Sequence, residues 1–267
     1  MRDRQSVIRQ IYQTFRYEMV SRVLRAASGT IRMGKSALFL PALMDTPETA
    51  RVLSISPHPD DDVLAVGGIL AGHAANHSEV ISLVLTNGSR GNTETIIDQR
   101  LAVVRRQEAD AAARVIGINY LHFWEIEDGQ VRNDPELVSR MEAQISAFMP
   151  DLIYLPFPID YHYDHLASTR LVLDALRKLN TNITLRCYEC IVPLIPNRIC
   201  DVTQWIEKKR AAIRCYMSQN RVTDYEYSII EGLNKLRTHG LLKGRGYAEG
   251  LFETDIVSLR RIMRAMD

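Results

Sequence analysis

From Arg51 onward, short apolar runs alternate with longer stretches of helical periodicity. The runs "RVLSIS" (51–56), "EVISLVLT" (79–86), "DLIYLPF" (151–157) and "ITLRCYEC" (183–190) are rich in branched apolar residues and predict buried strands. Between them, "DVLAVGGILAGHAANH" (62–77), a segment over about 95–116 closed by Gly117, "DPELVSRMEAQISAFM" (134–149) and "HLASTRLVLDALRKL" (165–179) predict helices. The third has an Asp cap followed by Pro at the first helical position, where the missing N–H costs nothing. "YLHFW" (120–124) predicts a short strand and "EDGQ" (127–130) a turn. Strands alternating with helices imply right-handed crossovers and a mostly parallel sheet. The expected fold class is therefore α/β, a Rossmann-like three-layer sandwich with ligands at the carboxyl ends of its strands. Past about residue 200 the pattern turns helical in "TQWIEKKRAAIRCYM" and "DYEYSIIEGLNKLRTHG", then closes with a loop and strand in "GRGYAEGLFE".

Residues 1–48 follow a different pattern and predict a helical N-terminal extension, which leaves 49–267 as the main domain. Val7, Ile11, Phe15, Val20, Val23 and Leu24 recur at roughly helical spacing, and Gly29 is a plausible stop. Arg2, Arg4, Arg9, Arg16, Arg22 and Arg25 make the polar side basic. Most such helices pack on their own domain or a partner subunit; a basic one also suits peripheral contact with an anionic membrane surface.

Composition adds exclusions. A net charge of +1 gives no global field for nucleic acid. Four cysteines are too few for a disulfide scaffold at this length and fit a reducing compartment. Arginine interrupts the N-terminus where a signal peptide would be apolar, and no apolar run reaches the roughly 18 residues of a membrane span. The expected location is cytoplasmic; the sequence does not speak to oligomeric state.

The candidate chemistry lies in two polar clusters. "ISPHPDDDVLAVGG" (55–68) places one histidine and three consecutive acids between a strand and a helix. Adjacent carboxylates repel, and a helix N-terminus together with a cation would offset that repulsion. His58 and Asp61, three apart, face the same way on a turn or a first helical turn. Asp60 between them points elsewhere and is free to stand beside an ion without binding it. The second cluster, "DYHYDH" (160–165), follows the strand "DLIYLPF" about 100 residues later and offers His162 or His165 as a further ligand. In a parallel sheet both clusters share one rim. Two histidines and one carboxylate with an open position make a hydrolytic zinc site. The same donors also fit a non-heme iron oxygenase, although a jelly roll is the expected scaffold for that class.

The ordered motifs "PHPDDD…GG", "TNGSRG", "RRQEADAAARVIG", "DYHYDH", "KRAAIRCYMSQ" and "GYAEGLF" resemble the LmbE-like, or PIG-L, family of zinc-dependent N-acetylglucosamine deacetylases over about residues 50–255. The resemblance implies that His58, Asp61 and His165 hold one zinc ion, with Fe2+ or another divalent metal fitting the same donors. It implies Asp60 as general base and His162 as oxyanion stabiliser or acid, oriented by Asp164. Arg105 and Asp128 would contact the sugar. The implied substrate is an N-acetylated amino-sugar conjugate, lipid-linked sugars among the classes that similar enzymes use. A non-catalytic sugar-binding protein on the same fold is a further alternative. Pro57, Asp62, Tyr163 and Tyr216 depart from the family's residues at their positions.

Other signals point to structure. Cys187 and Cys190 in "CYEC" are expected as buried structural thiols, since residues three apart on a strand face opposite sides. His73 and His77 are expected on the surface, and Trp124 and Trp205 as packing residues. "NGSRG" is neither a Walker nor a dinucleotide fingerprint. No G-x-S-x-G occurs, which disfavours a serine hydrolase.

Overall fold

The computed structural model describes residues 41–44, 50–91, 98–160, 162–179 and 182–266. The expected N-terminal helix lies outside these residues. The exception is the segment Ala42–Met44, which forms a strand, β1, and pairs in parallel with β7 (Arg198–Asp201). A domain boundary at residue 48 thus falls after a strand that already belongs to the sheet.

The sheet has eight strands in the order β1-β7-β8-β6-β5-β2-β3-β4. The others are β2 (Arg51–Ser56), β3 (Glu79–Thr86), β4 (Tyr120–Ile126), β5 (Leu152–Pro156), β6 (Thr184–Tyr188) and β8 (Ala248–Thr254). Pairing is parallel from β6 through β5, β2 and β3 to β4, while β7 and β8 run antiparallel. β5 is buried throughout and β2 beyond Arg51, the pattern of strands covered on both faces. The predicted parallel α/β sheet is present, which removes the jelly roll expected of the oxygenase alternative.

Chain order fixes where a ligand goes. From β2 the chain winds outward through α1 (Asp61–Ala75), β3 and α2 (Gln99–Ile116) to β4. It then returns through α3 (Pro135–Phe148) to β5, on the other side of β2, and continues through α4 (Tyr163–Ala175) to β6. Right-handed crossovers running in opposite directions put the two helix groups on opposite faces. α1 and α2 pack together on one, and α3 and α4 on the other. β2 and β5 are neighbours, with Val52, Leu53 and Ser54 opposite Leu152, Ile153 and Tyr154. The winding reverses between them, so their carboxyl ends open a crevice. Both polar clusters are the loops that leave these two ends.

A buried ion pair holds the first helix. α1 is broken at Val66 (φ −129°, ψ 21°), and the Glu249 carboxylate on β8 accepts the N–H groups of Gly68 and Ile69 at 2.9 and 2.8 Å. Lys209, on α5 (Ile206–Ile213), pairs with the same carboxylate at 2.7 Å, and neither side chain is exposed. Gly68 must be glycine, because a Cβ there would lie 2.6 Å from Val202. Two of the sequence motifs, "KRAA" and "YAEG", therefore meet as a structural clamp. Glu249→Ala leaves a buried ammonium and two N–H groups without their acceptor. It is expected to destabilise the fold by about 3–5 kcal/mol, read as a lower urea midpoint. The double variant Lys209→Met, Glu249→Gln keeps an acceptor for the N–H groups and is expected to lose less.

Some elements differ from expectation. His73 is buried, with Nδ1 3.1 Å from Ser78 Oγ and Nε2 3.1 Å from Tyr154 Oη, so it is a core residue rather than a surface one. His77 is exposed just past the helix with φ 58°. "DYEYSIIEGLNKLRTHG" contains a π-helix, Glu226–Asn234. "TQWIEKKRAAIRCYM" breaks into a 3₁₀ turn, α5 and the start of α6 (Met217–Asn220). Trp124 is buried under the Arg140 guanidinium, 4.4 Å from its ring, and Trp205 packs against the core, as packing residues do. The terminal segment falls outside the compact unit Pro41–Glu253; in it Asp255 caps α7 (Ile256–Arg264), and Leu259, Ile262 and Met263 are buried.

Candidate metal centre

The first cluster begins where β2 ends. Ser56 Oγ donates to the His58 carbonyl and accepts the Asp62 N–H, which closes the loop "SPHPDD" into a tight entry to α1. Asp60 takes the N-cap position yet makes no side-chain capping bond. Its Oδ1 instead accepts from Arg105 Nη2 at 2.7 Å, and both groups are buried. Asp62 turns inward, accepting from the Ser82 hydroxyl and from Val63 N–H. Burial pushes its carboxyl up to about 6. The three adjacent acids thus separate: one faces Arg105, one the histidines and one the core.

The donor atoms of His58, Asp61 and His165 converge. Asp61 Oδ2 lies 3.0 Å from His58 Nδ1 and 3.2 Å from His165 Nε2, and the two nitrogens are 3.3 Å apart. A tetrahedral ion with bonds of roughly 2.0–2.1 Å needs donor separations of about 3.3–3.4 Å, so the trio fits such an ion with little movement. Each histidine also has a carboxylate behind its other nitrogen. His58 Nε2 faces Asp164 Oδ2 at 3.3 Å and Asp128 Oδ1 at 3.4 Å, and His165 Nδ1 faces Asp160 Oδ2 at 3.1 Å. Carboxylates so placed fix the ring orientation and raise the basicity of the ligating nitrogen. In the bare cluster, Asp61 and the carboxylates beside it raise the pKa of both histidines despite burial, that of His165 to about 9.

His162 lies at the edge of this trio, with a ring nitrogen within 4.8 Å of donor atoms of His58 and His165. Its Nδ1 accepts the Asp164 backbone N–H at 3.2 Å, and its ring meets His58 edge-on at 4.3 Å. Burial, then His58 and His165, hold its pKa below the usual imidazole value. A neutral ring whose Nδ1 is an acceptor carries its proton on Nε2. The contact between Asp164 and His162 runs through the Asp164 backbone N–H, not the carboxylate that the sequence expectation invoked. The carboxylate is 3.9 Å from His162 Nδ1 and accepts Gly129 and Val131 N–H at 2.7 and 3.0 Å. Asp164 thereby ties the "EDG" turn to the second cluster.

A cavity of about 490 Å³ lies over the cluster and is lined by His58, Asp60, Asp61, His162, His165, Arg105 and Asp128. All eight expected site residues come together, but Arg105 and Asp128, expected as sugar contacts, are committed to the protein's own groups. Arg105 pairs Asp60 and donates to Gly88 O at 3.2 Å; Asp128 accepts Arg90 N–H at 3.1 Å and stands behind His58. "NGSRG" is the cradle for these two. Gly88, at φ 65°, leaves room for Arg105 Nη1, which an added Cβ would approach to 2.8 Å. Glu108, three residues after Arg105 on the same helix, accepts Ser218 N–H and Oγ–H at 2.7 and 2.6 Å and fixes the segment that carries Gln219 to the cavity.

Two further residues stand at the site without having been expected there. Asp160 stands in "DYHYDH" five positions before His165, and its role depends on the chain turning back before α4. Cys190 belongs to the discounted "CYEC". Cys187 is a buried β6 thiol as expected, but Cys190 follows the end of the strand, at the rim where this fold places ligands, and its Sγ lies 3.1 Å from Asp61 Oδ1. Burial and Asp61 push the Cys190 thiol up and keep it a donor. Asp160→Ala is expected to lower metal affinity 10–100-fold, measured by competition with a chromogenic chelator.

Comparison with known proteins agrees with this geometry. A family model described as PIG-L, GlcNAc-PI de-N-acetylase, matches residues 53–176, a span holding both clusters. Over that span the chain is similar to the PIG-L, or LmbE-like, family. Among curated relatives, diacetylchitobiose deacetylase of Thermococcus kodakarensis is 25% identical, over 76% of this chain and 83% of its own length. 4-Oxalmesaconate hydratase of Pseudomonas putida is 26% identical, over 78% of this chain and 90% of its own length. Among solved structures, N,N'-diacetylchitobiose deacetylase from Pyrococcus horikoshii superposes with TM-score 0.66 at 26% identity, covering 78% of this chain and 85% of that one. The fold of that solved structure is thus shared along most of the chain; in this chain β2 and β5 deliver the two clusters. Among the described residues no helix is long and apolar enough to cross a membrane.

Proposed function

We propose that this protein is a metal-dependent N-deacetylase that removes the acetyl group from an N-acetylglucosamine-type conjugate. The observation that carries the reading is the convergence of His58 Nδ1, Asp61 Oδ2 and His165 Nε2 within 3.3 Å of one another, beside the separate acid Asp60. These three residues would hold the ion, and a divalent cation there supplies a water of lowered pKa and a Lewis acid for the acetamide carbonyl. Two nitrogens and one carboxylate oxygen suit zinc and are compatible with iron.

The chain's own residues do the rest. Arg105 holds Asp60 through Oδ1, and Asp60 takes the proton from the attacking water. His162, neutral with its proton on Nε2, donates to the oxygen that becomes negative as the carbonyl carbon turns tetrahedral. Asp60 returns its proton to the amide nitrogen, the C–N bond breaks, and acetate and the free amine leave. A purely sugar-binding protein has no use for a buried acid held beside a metal-ligand trio.

The hydratase relative has comparable identity, and water activation by a metal and a base serves hydration as well as hydrolysis. The family description and the deacetylase relatives favour the amide. The test is acetate and amine release from N-acetylglucosamine glycosides by zinc-loaded protein. Activity is expected to disappear with a chelator and return with one equivalent of zinc. Absence of release from every glycoside, with hydration of an unsaturated tricarboxylate instead, would reverse the assignment.

A further inference from the structure

The cavity continues past the polar cluster onto an apolar wall. Tyr225, Ile229 and Leu233 all line it, together with Ile191 and Pro193. Tyr225 immediately precedes the π-helix Glu226–Asn234, and Ile229 and Leu233 follow at intervals of four within it, which keeps the three on one helix face. π-helical segments are rare and concentrate at functional sites. This one is pinned from outside. Glu226 accepts from Arg210 at 2.6 Å and from Arg214 at 2.9 Å, Tyr247 Oη donates to Glu231 at 3.1 Å, and Asn234 Nδ2 donates to Ala248 O at 3.1 Å. The wall is therefore preformed, which lowers the ordering cost of binding against it.

The charges on the described lining point the same way. Arg105 is its one Lys or Arg, and that guanidinium is taken by Asp60 and Gly88 O. Asp60, Asp61 and Asp128 line the same space. Away from the ion that His58, Asp61 and His165 would hold, a carboxylate or phosphate on the substrate's aglycone would lose water with no Lys or Arg of the described lining to pair it.

We propose that the cavity takes an amino-sugar conjugate whose aglycone is uncharged and apolar, seated along Tyr225, Ile229 and Leu233. The sugar end of this inference rests on the deacetylase reading; the aglycone end does not. The test compares the methyl, hexyl and carboxymethyl glycosides of N-acetylglucosamine as substrates of zinc-loaded protein. It also compares methyl and hexyl glucosides, which have no acetamide to lose, as ligands by calorimetry. The hexyl compounds are expected to show kcat/KM and affinity at least about tenfold above the methyl ones, with a negative heat-capacity change. The carboxymethyl glycoside is expected to be the poorest substrate. In the variant Ile229→Asn, Leu233→Asn the hexyl-to-methyl ratio is expected to fall towards one.

Acetate release from all three glycosides with equal efficiency, or best from the carboxymethyl one, would overturn the aglycone inference and leave deacetylation standing. Tight hexyl glucoside binding with no acetate released from any glycoside would do the opposite: the apolar subsite would stand and the deacetylase reading would fall. The wild-type ratio decides the matter even if the double variant does not fold.

Discussion

Asp60→Asn is expected to lower kcat for acetate release by about 10²–10⁴-fold, the usual contribution of a positioned base, with KM little changed and one metal ion per chain retained. The substitution is nearly isosteric. The amide oxygen of the substituted side chain can still accept from Arg105 Nη2, which now holds Asp60 Oδ1 at 2.7 Å. The side chain therefore keeps its place and loses its ability to take a proton. Metal content is unaffected because the carboxylate is turned to Arg105 while the converging donors belong to His58, Asp61 and His165. A fall in kcat without a matching rise in KM marks an interaction made in the transition state. Metal content by elemental analysis and kcat by amine detection check the two halves separately. Undiminished turnover in a metal-replete variant would remove Asp60 from the mechanism.

Asp60 also shows why the site was legible before the fold was known. At an N-cap an aspartate normally turns back to the helix N–H groups. This one does not, and three acids in a row next to a histidine already say that capping alone is not the reason for them. The partnership of "HPDDD" with "DYHYDH" was legible because each follows a predicted strand of one parallel sheet. Adjacency of β2 and β5 follows from the point where the winding reverses, and this brings His58 and His165 within hydrogen-bond distance across 107 residues of sequence.

What the sequence left out has a common physical character. β1 and β7 are three and four residues long, too short for any periodicity to register. His73 looked like a surface residue because nothing local announces Tyr154, 81 positions away. Arg105 and Asp128 were correctly brought to the site, but which atoms they face depends on the "NGSRG" loop passing between them. Cys190 was masked by its resemblance to a strand pair with Cys187, although β6 ends at Tyr188. Positions that depend on long-range contacts or on where a strand stops were lost; those set by local spacing on predicted elements were kept.

The two histidines of "HYDH" are expected to separate cleanly on mutation, and this is the sharpest check on the site as a whole. His165→Ala removes one of the three proposed ligands and is expected to lower metal affinity by more than the 10–100-fold that loss of an outer carboxylate costs. Acetate release at stoichiometric metal would then be undetectable. His162→Ala is expected to keep the metal and lower kcat by about 10²–10³-fold, the cost of one oxyanion donor. The reasoning is geometric. His165 is fully buried, with Nε2 against Asp61 Oδ2 at 3.2 Å and Nδ1 against Asp160 Oδ2 at 3.1 Å, so both nitrogens are placed as a ligand's would be. His162 has Nδ1 fixed by the Asp164 backbone and part of its ring exposed at the cavity, so only Nε2 is available, and as a donor. Calorimetric metal binding to both variants, read beside kcat, separates the roles. If His162→Ala lost the metal and His165→Ala kept it, ligand and donor would have to change places, and with them the direction from which the carbonyl enters the site.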